Sequence, residues 1–467
     1  MLNDSRKNTS PRPLNDTAAW SMFTVLLLAY SVNAMDRMIF PVLLTDIRDE
    51  YHFSLSAAGL HSTIFALGMG MTGIPLGVAL QRFGRKPILV TGTVLFSVAT
   101  LLTVVSIGFT DMLAWRVLSG IGEAMQLGAI LTVASTAFPR RRGLAIGAVN
   151  TAFALGSVVG PVLGVALLER FHTWRAPMIA FAVIGVALAA LAAGVVSPRL
   201  TDVGRPAHDD PDGSWSGGAL LRNRNTWLLA AMAALFGLID FAYIGMYATF
   251  LREHHGFSAS NAGLAVSLSG LAAFASPLGG WLTDRVNPAR LLSVLCIAQA
   301  VSGAMLFAGP ASFVWQCAWS LLFGLIASGG LYVALATSMV RSVAAHHASL
   351  ASGLFITCIY VAAAFAGLLY SRLVGTTSWT VAGLLQITGL STVCAVLTLL
   401  LKRSEFGMPS KDPMAIAPKG NARADTTTTN YVTVGPHSRH WREILRSPDL
   451  LRWAQLCRPH QGNEGGQ

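Results

Sequence analysis

Twelve apolar stretches of about 20 residues follow one another along this chain, and no other feature constrains its fold so strongly. Inside a bilayer every backbone N–H and C=O must be paired within the protein, so such stretches read as membrane-spanning helices. The hydropathy pattern places them at Ala18–Leu44, Ala57–Leu80, Ile88–Ile107, Asp111–Phe138, Gly143–Leu168 and Pro177–Val196, then at Thr226–Leu251, Asn261–Leu282, Leu291–Gly309, Phe313–Val340, Ala348–Leu373 and Thr380–Leu401. A length of 467 residues would suggest two or three domains in a soluble protein. A chain that is 53% hydrophobic and only 12% charged overrides that expectation. The predicted class is an all-α polytopic membrane protein in two six-helix bundles. Residues 1–17 form an N-terminal tail, 18–196 the first bundle, 197–225 a Pro-, Gly- and Asp-rich linker, 226–401 the second bundle and 402–467 a C-terminal tail.

The basic residues orient this array. Sixteen lie in segments predicted on one side, among them Arg82, Arg85, Lys86, Arg141, Arg205 and Arg285. Five lie on the other: Arg48, Arg170, Arg175, Arg252 and Arg372. By the positive-inside rule both termini face the cytoplasm, with the protein in the cell's inner (plasma) membrane. The polar first 17 residues and the long first apolar run argue against a cleaved signal peptide. The net charge of +11 is then a topology signal, and no basic patch interleaved with aromatics points to nucleic acid. Cys296, Cys317, Cys358, Cys394 and Cys457 lack metal-ligand spacing and read as small fillers. The tail is expected to be mostly disordered, with a basic, Trp-containing helix starting near Ser447 that either lies on the inner leaflet or has no role.

Four charged residues interrupt two of the apolar runs: Asp36 and Arg37 in helix 1, Arg116 and Glu123 in helix 4. Each costs roughly 2.5–3.5 kcal/mol at the bilayer centre, so they are read as functional. Counting along the helices puts Asp36, Arg37 and Arg116 at one level in the outer half. Glu123 stands two turns deeper than Arg116 and without a basic partner on its own helix at that depth. Arg37 and Arg116 could then form a two-pronged clamp for a carboxylate. Asp36 and Glu123 could exchange protons, since burial favours the neutral carboxyl and a neighbouring arginine the ionised one. The competing reading is a static ion pair of Asp36 with Arg116 or Arg37. Asn33 and Gln126 share faces with these residues. Asp240, Tyr243 and Tyr247 recur at i, i+3 and i+7 on helix 7 and are read as a cavity-facing trio, while Asn150, His61, Gln299 and Tyr360 either line a path or bond another helix. Asp111 reads as a helix N-cap.

The loop after helix 2 reads Gly77-Val-Ala-Leu-Gln81-Arg82-Phe-Gly84-Arg85-Lys86, and the loop after helix 8 repeats it as Gly280-Trp-Leu-Thr-Asp284-Arg285. Equivalent motifs in two six-helix halves mark an internal repeat. With these motifs, residues 18–401 resemble the major facilitator superfamily, whose loop signature is matched except that Gln81 stands at the usual Asp. That resemblance implies a gating role for Gly77, Gln81, Arg82, Gly84, Arg85, Asp284 and Arg285. Asn33-Ala-Met-Asp36-Arg37 with Arg116-x-x-x-Gly120-x-Gly122-Glu123 looks like the anion:cation symporter, aromatic-acid:proton symporter and spinster-like branches. It implies proton and substrate binding at Asp36, Arg37, Arg116 and Glu123. Gly156, Gly160, Pro161 and Gly164 resemble the superfamily's helix 5 signature, a close-packing and flexing element.

The expected function is secondary active transport by alternating access: proton-coupled uptake of a small organic anion, a sugar acid or an aromatic carboxylate. A proton-driven efflux antiporter for drugs or amphipathic lipids is the alternative, and a non-transporting membrane sensor a further one. No nucleotide-binding loop or catalytic constellation appears, so neither a primary pump nor an enzyme is expected. No cofactor or metal is expected, the proton gradient being the driving force, and the protein is expected to act as a monomer.

Overall fold

The computed structural model describes residues 15–138, 141–202, 223–343 and 348–402. The tail helix expected near Ser447 and the linker stretch 203–222 lie outside the described residues, as do the side chains of Gln81 and Asp284. All secondary structure among the described residues is helical. Eleven helices are long and apolar enough to cross a membrane. A twelfth comes from Leu55–Thr63 and Phe65–Phe83, which run on through Ile64 in helical conformation. Twelve helices result, as the hydropathy pattern predicts.

Helix 1 spans Asp16–Tyr51, about two turns beyond its predicted end, because Asp46, Arg48, Asp49 and Glu50 are polar enough to fall outside the apolar run yet continue the helix. Helix 2 covers Leu55–Phe83, helix 3 Arg85–Val104, helix 4 Phe109–Ala137, helix 5 Arg142–Phe171 and helix 6 Arg175–Val195. In the second half, helix 7 is Arg224–Glu253, helix 8 runs from Ala259 to Arg285 and helix 9 is Pro288–Phe307. Helix 10 runs from Phe313 to Arg341, helix 11 from Ala348 to Thr376 and helix 12 from Trp379 to Leu399. Starts follow side-chain capping: Ser54, Ser258, Asn287 and Ser378 each accept a backbone N–H from the first turn. Asp111 accepts from the N–H groups of Ile107 and Gly108 at 2.7 and 3.0 Å, so it caps helix 4 from within its first turn. Helices 2 and 3 are separated by Gly84 alone, at φ 85°, a conformation that a side chain disfavours.

Large apolar side chains stay exposed along the outer faces, among them Val314 at 75% and Leu399 at 76%, as a lipid-facing surface requires. Inside, helix 5 packs on helix 1, and its glycines explain how closely: Gly156 faces Ser31 and Ala34, Gly160 faces Met35 and Gly164 faces Ile39. One residue of helix 1 is thus met per turn of helix 5, with no Cβ between them. The halves meet through helix 2 on helix 11, helix 5 on helix 8 and helix 1 on helix 7. At the end where helices 1 and 7 finish, they are clasped by reciprocal ion pairs. Arg252 contacts Asp46 at 2.5 and 3.2 Å, and Arg48 contacts Glu253 at 2.5 Å. Nearby, Thr63 Oγ1 donates to the Ala364 carbonyl at 2.9 Å and accepts from the Gly367 N–H at 3.2 Å.

Candidate functional site

Asp36, Arg116 and Glu123 are fully buried and Arg37 is 4% exposed. As numbering rises along helix 1 from Asn33 through Arg37 to Phe40, partners on helix 4 fall from Gln126 through Glu123 to Arg116, so the two helices are antiparallel. Asp36 and Arg116 stand side by side, as counting along the helices expects, while Arg37 reaches the deeper Glu123. A helical side chain leans toward its own helix's N-terminus. On antiparallel helices Arg37 and Glu123 therefore lean toward each other, and Glu123 finds its basic partner on helix 1 rather than on its own helix. Arg37 Nε donates to Glu123 Oε2 at 2.9 Å and Nη2 stands 2.8 Å from the same oxygen as an ion pair, while Ser119 Oγ donates to Glu123 Oε1 at 3.0 Å.

Behind this pair the polar chain continues. Asn33 Nδ2 donates to Gln126 Oε1 at 2.8 Å, Gln126 Nε2 donates to Thr93 Oγ1 at 2.9 Å, and Arg37 Nη2 reaches Asn33 Oδ1 at 3.5 Å. Thr93 and, on the same helix 3, Thr100 were not singled out from sequence, since a threonine in an apolar run carries no signal of its own. Thr100 Oγ1 donates to Asp36 Oδ2 at 2.9 Å. Asp36 stands 4.0 Å from Arg116 Nη1, a loose ion pair of the kind that the competing reading expected. Among the described residues Arg116 finds no hydrogen-bond partner for any of its three nitrogens. It lies against aromatic faces instead, 4.1 Å from the Phe40 ring centre and 5.1 Å from that of Phe65, which partly offsets its desolvation.

A cavity of about 290 Å³ lies between the halves. Helices 1, 4 and 5 line it with Tyr30, Arg37, Leu127, Asn150 and Phe153. Helices 7, 8, 10 and 11 add Phe236, Asp240, Phe241, Ser276, Tyr332 and Tyr360. Of the four helix 1 and helix 4 charges only Arg37 reaches it. The two-pronged clamp of Arg37 and Arg116 is therefore not formed in this conformation: Arg116 faces away, into the helix 1–helix 4 contact. The helix 7 trio also divides. Asp240 lines the cavity, Tyr243 lines a smaller one beside it, and Tyr247 is buried with its hydroxyl 3.0 Å from Gln316 Oε1. Asn150 and Tyr360 line the cavity, whereas His61, stacked on Phe53 and edge-on to Phe109, and Gln299 do not. Tyr30 and Tyr332 were missed because one phenol in an apolar run resembles any core aromatic.

The loop motifs hold ends of helices together. Arg85 Nη1 donates to Thr136 Oγ1 at 2.7 Å and to the Thr201 carbonyl at 2.9 Å, and Lys86 Nζ to the Ala193 carbonyl at 2.7 Å. Arg82 and Arg285 lie over the rings of Phe83 and Trp281. Gly77 meets no side chain where a Cβ would stand.

The family model described as Major Facilitator Superfamily matches residues 26–367. The rice protein "Probable anion transporter 4, chloroplastic" is 27% identical over 63% of this chain and 52% of its own length. The Arabidopsis thaliana "Ascorbate transporter, chloroplastic" is 27% identical over 68% of this chain and 61% of its own. The Bacillus subtilis "Hexuronate transporter" is 25% identical over 68% and 79%. The chain thus spans only about half to three fifths of the first two of these relatives. The crystal structure of a bacterial homolog of the human lysosomal transporter Spinster, inward-facing and unoccupied, superposes with a TM-score of 0.67 at 18% identity, covering 84% of this chain and 98% of that one. With the family model covering most of its length and the twelve-helix fold shared, the chain belongs to the major facilitator superfamily.

Proposed function

We propose that the protein is a secondary transporter that takes up a small organic anion, a sugar acid or an aromatic carboxylate, together with protons. The observation that carries this reading is the Arg37–Glu123 pair at the cavity wall. Arg37 is the one cationic side chain lining the cavity among the described residues, and Glu123 Oε2 already occupies its Nε–Nη2 edge. A substrate carboxylate must displace Glu123 to pair bidentately with that edge of the guanidinium. Protonating Glu123 releases the fork, so anion and proton enter together. Asp36 and Arg116, buried behind, would set the field at this pair rather than touch cargo.

The two halves would rock about this midplane cavity, with the helix 5 glycines as sliding surface. The Asp46–Arg252 and Arg48–Glu253 clasp would hold one end shut while the other opens. Both termini would face the cytoplasm, in the plasma membrane, and one chain would suffice. Support for an anion as cargo also comes from relatives named as ascorbate, hexuronate and anion transporters. A second reading, efflux of amphipathic molecules, draws on Phe153, Phe236, Phe241 and Ile359 in the wall and on the 27% identity to the Drosophila melanogaster "Protein spinster".

The deciding experiment uses oriented proteoliposomes, with glucuronate, galactonate and benzoate as probes and proton movement as readout. Inward proton flow driven by an acid is expected. Glu123→Gln should abolish proton-driven accumulation and retain exchange, and Arg37→Ala should abolish binding. If no acid moves protons inward, the uptake reading falls.

A further inference from the structure

Beside the central cavity is an alcove of about 40 Å³, room for a small ion with a water or two. Asp240 stands in the wall of both spaces. The polar side chains around the alcove are Asp240, Ser157, Ser269, Ser328 and Tyr243, and every one of them offers oxygen. The decisive point is where the hydroxyl protons go. Ser157 Oγ donates to the Phe153 carbonyl at 2.9 Å and Ser269 Oγ to the Val266 carbonyl at 2.7 Å. Ser320 Oγ donates to the Ala265 carbonyl at 2.5 Å, so in its 2.6 Å contact with Tyr243 the phenol is the donor.

Three of the four lining hydroxyls have thus committed their protons elsewhere; Ser269 and Tyr243 also contact each other, and each oxygen, with two lone pairs, keeps acceptor capacity. Asp240 stands among them with no hydrogen bond or ion pair among the described residues. A carboxylate surrounded by acceptors has an unmet need for positive charge. The backbone points the same way. Helix 10 is wound as a π-helix over Leu325–Leu331, which includes Ser328, and helix 8 as a 3-10 turn over Ala272–Ala275. One is wound wider and the other tighter than an α-helix, so both interrupt the regular ladder where the two helices border the alcove.

We propose that the alcove is a binding site for a small monovalent cation, Na⁺ fitting best. One carboxylate balances one positive charge, and hydroxyl oxygens supply the hard donors that such an ion takes. A divalent ion would leave net charge buried. The charged and titratable groups sharing these linings with Asp240 are Tyr30 and Arg37 from helix 1 across the cavity, Tyr243 on its own helix, Tyr332 from helix 10 and Tyr360 from helix 11. Helix 8 contributes only serines and apolar residues to the two linings. Because Asp240 also faces the central cavity, a bound cation removes the negative charge standing across it from Arg37. An anion would then be admitted more readily.

Occupancy of this alcove can be tested without knowing what the central cavity carries. The purified full-length protein is unfolded thermally in NaCl, LiCl, KCl or choline chloride at equal ionic strength and fixed pH. Saturable stabilisation by Na⁺ over choline is expected, absent in Asp240→Asn. Ser269→Ala, which keeps the carboxylate and the fold, should weaken the apparent Na⁺ affinity about tenfold. Equal midpoints in Na⁺ and choline overturn the site, as does a Na⁺ effect that survives Asp240→Asn unchanged. Stabilisation that follows pH and ignores Na⁺ would identify a proton on Asp240 instead and overturn it too. Failure of organic acids to drive protons would leave these outcomes untouched, so the two proposals fail separately.

Discussion

Replacing Arg37 by alanine tests whether the Arg37–Glu123 pair is a unit. The guanidinium supplies Glu123 with a hydrogen bond at 2.9 Å and an ion-pair contact at 2.8 Å, and without it the fully buried carboxylate keeps only Ser119 at 3.0 Å among the described residues. Stranding a buried charge in this way costs about 3–5 kcal/mol. Adding Glu123→Gln removes the stranded charge and leaves a neutral amide for Ser119. The double variant should therefore be more stable than Arg37→Ala alone. Glu123→Gln by itself should cost less, about 1–3 kcal/mol, because Arg37 retains Asn33 and the faces of Phe65 and Phe153. The assay is equilibrium unfolding of the three purified variants in mixed micelles, read as a double-mutant cycle. If the single effects sum to the double effect within about 0.5 kcal/mol, the two residues do not act as a unit and the coupling argument built on them fails.

Two further predictions concern how the halves and helices meet. Arg252→Asp should break the clasp with Asp46, raising the thiol labelling of a cysteine placed at Phe153 from the face where helix 1 ends. The swap Asp46→Arg/Arg252→Asp should restore protection, and unchanged labelling in the single variant would show that the clasp does not gate that end. Gly160→Val places a Cβ 2.7 Å from Met35 Cα, so helices 1 and 5 must separate at a cost of about 1–3 kcal/mol. Gly147→Ala, where nothing lies within 4 Å, is the control on the same helix and should melt like the parent protein.

The twelve helices were legible in the sequence because the bilayer allows an apolar run of that length few alternatives: its backbone must satisfy itself. The spacing of Gly156, Gly160 and Gly164 likewise announced a close helix contact, though not that its partner would be Ser31, Met35 and Ile39 of helix 1. That Asp36, Arg37, Arg116 and Glu123 are costly in an apolar setting was visible in the sequence. Their arrangement was not. Counting residues locates Cα atoms, whereas pairing depends on where long side chains point, and antiparallel packing turned Arg37 and Glu123 toward each other while Arg116 turned to Phe40. Asp240 stood out as an acid in the second half, but its neighbours Ser157 and Ser269 come from helices 5 and 8. Only tertiary structure could bring their lone pairs together, because which hydroxyl faces a cavity is set by helix rotation and by the carbonyl that takes its proton.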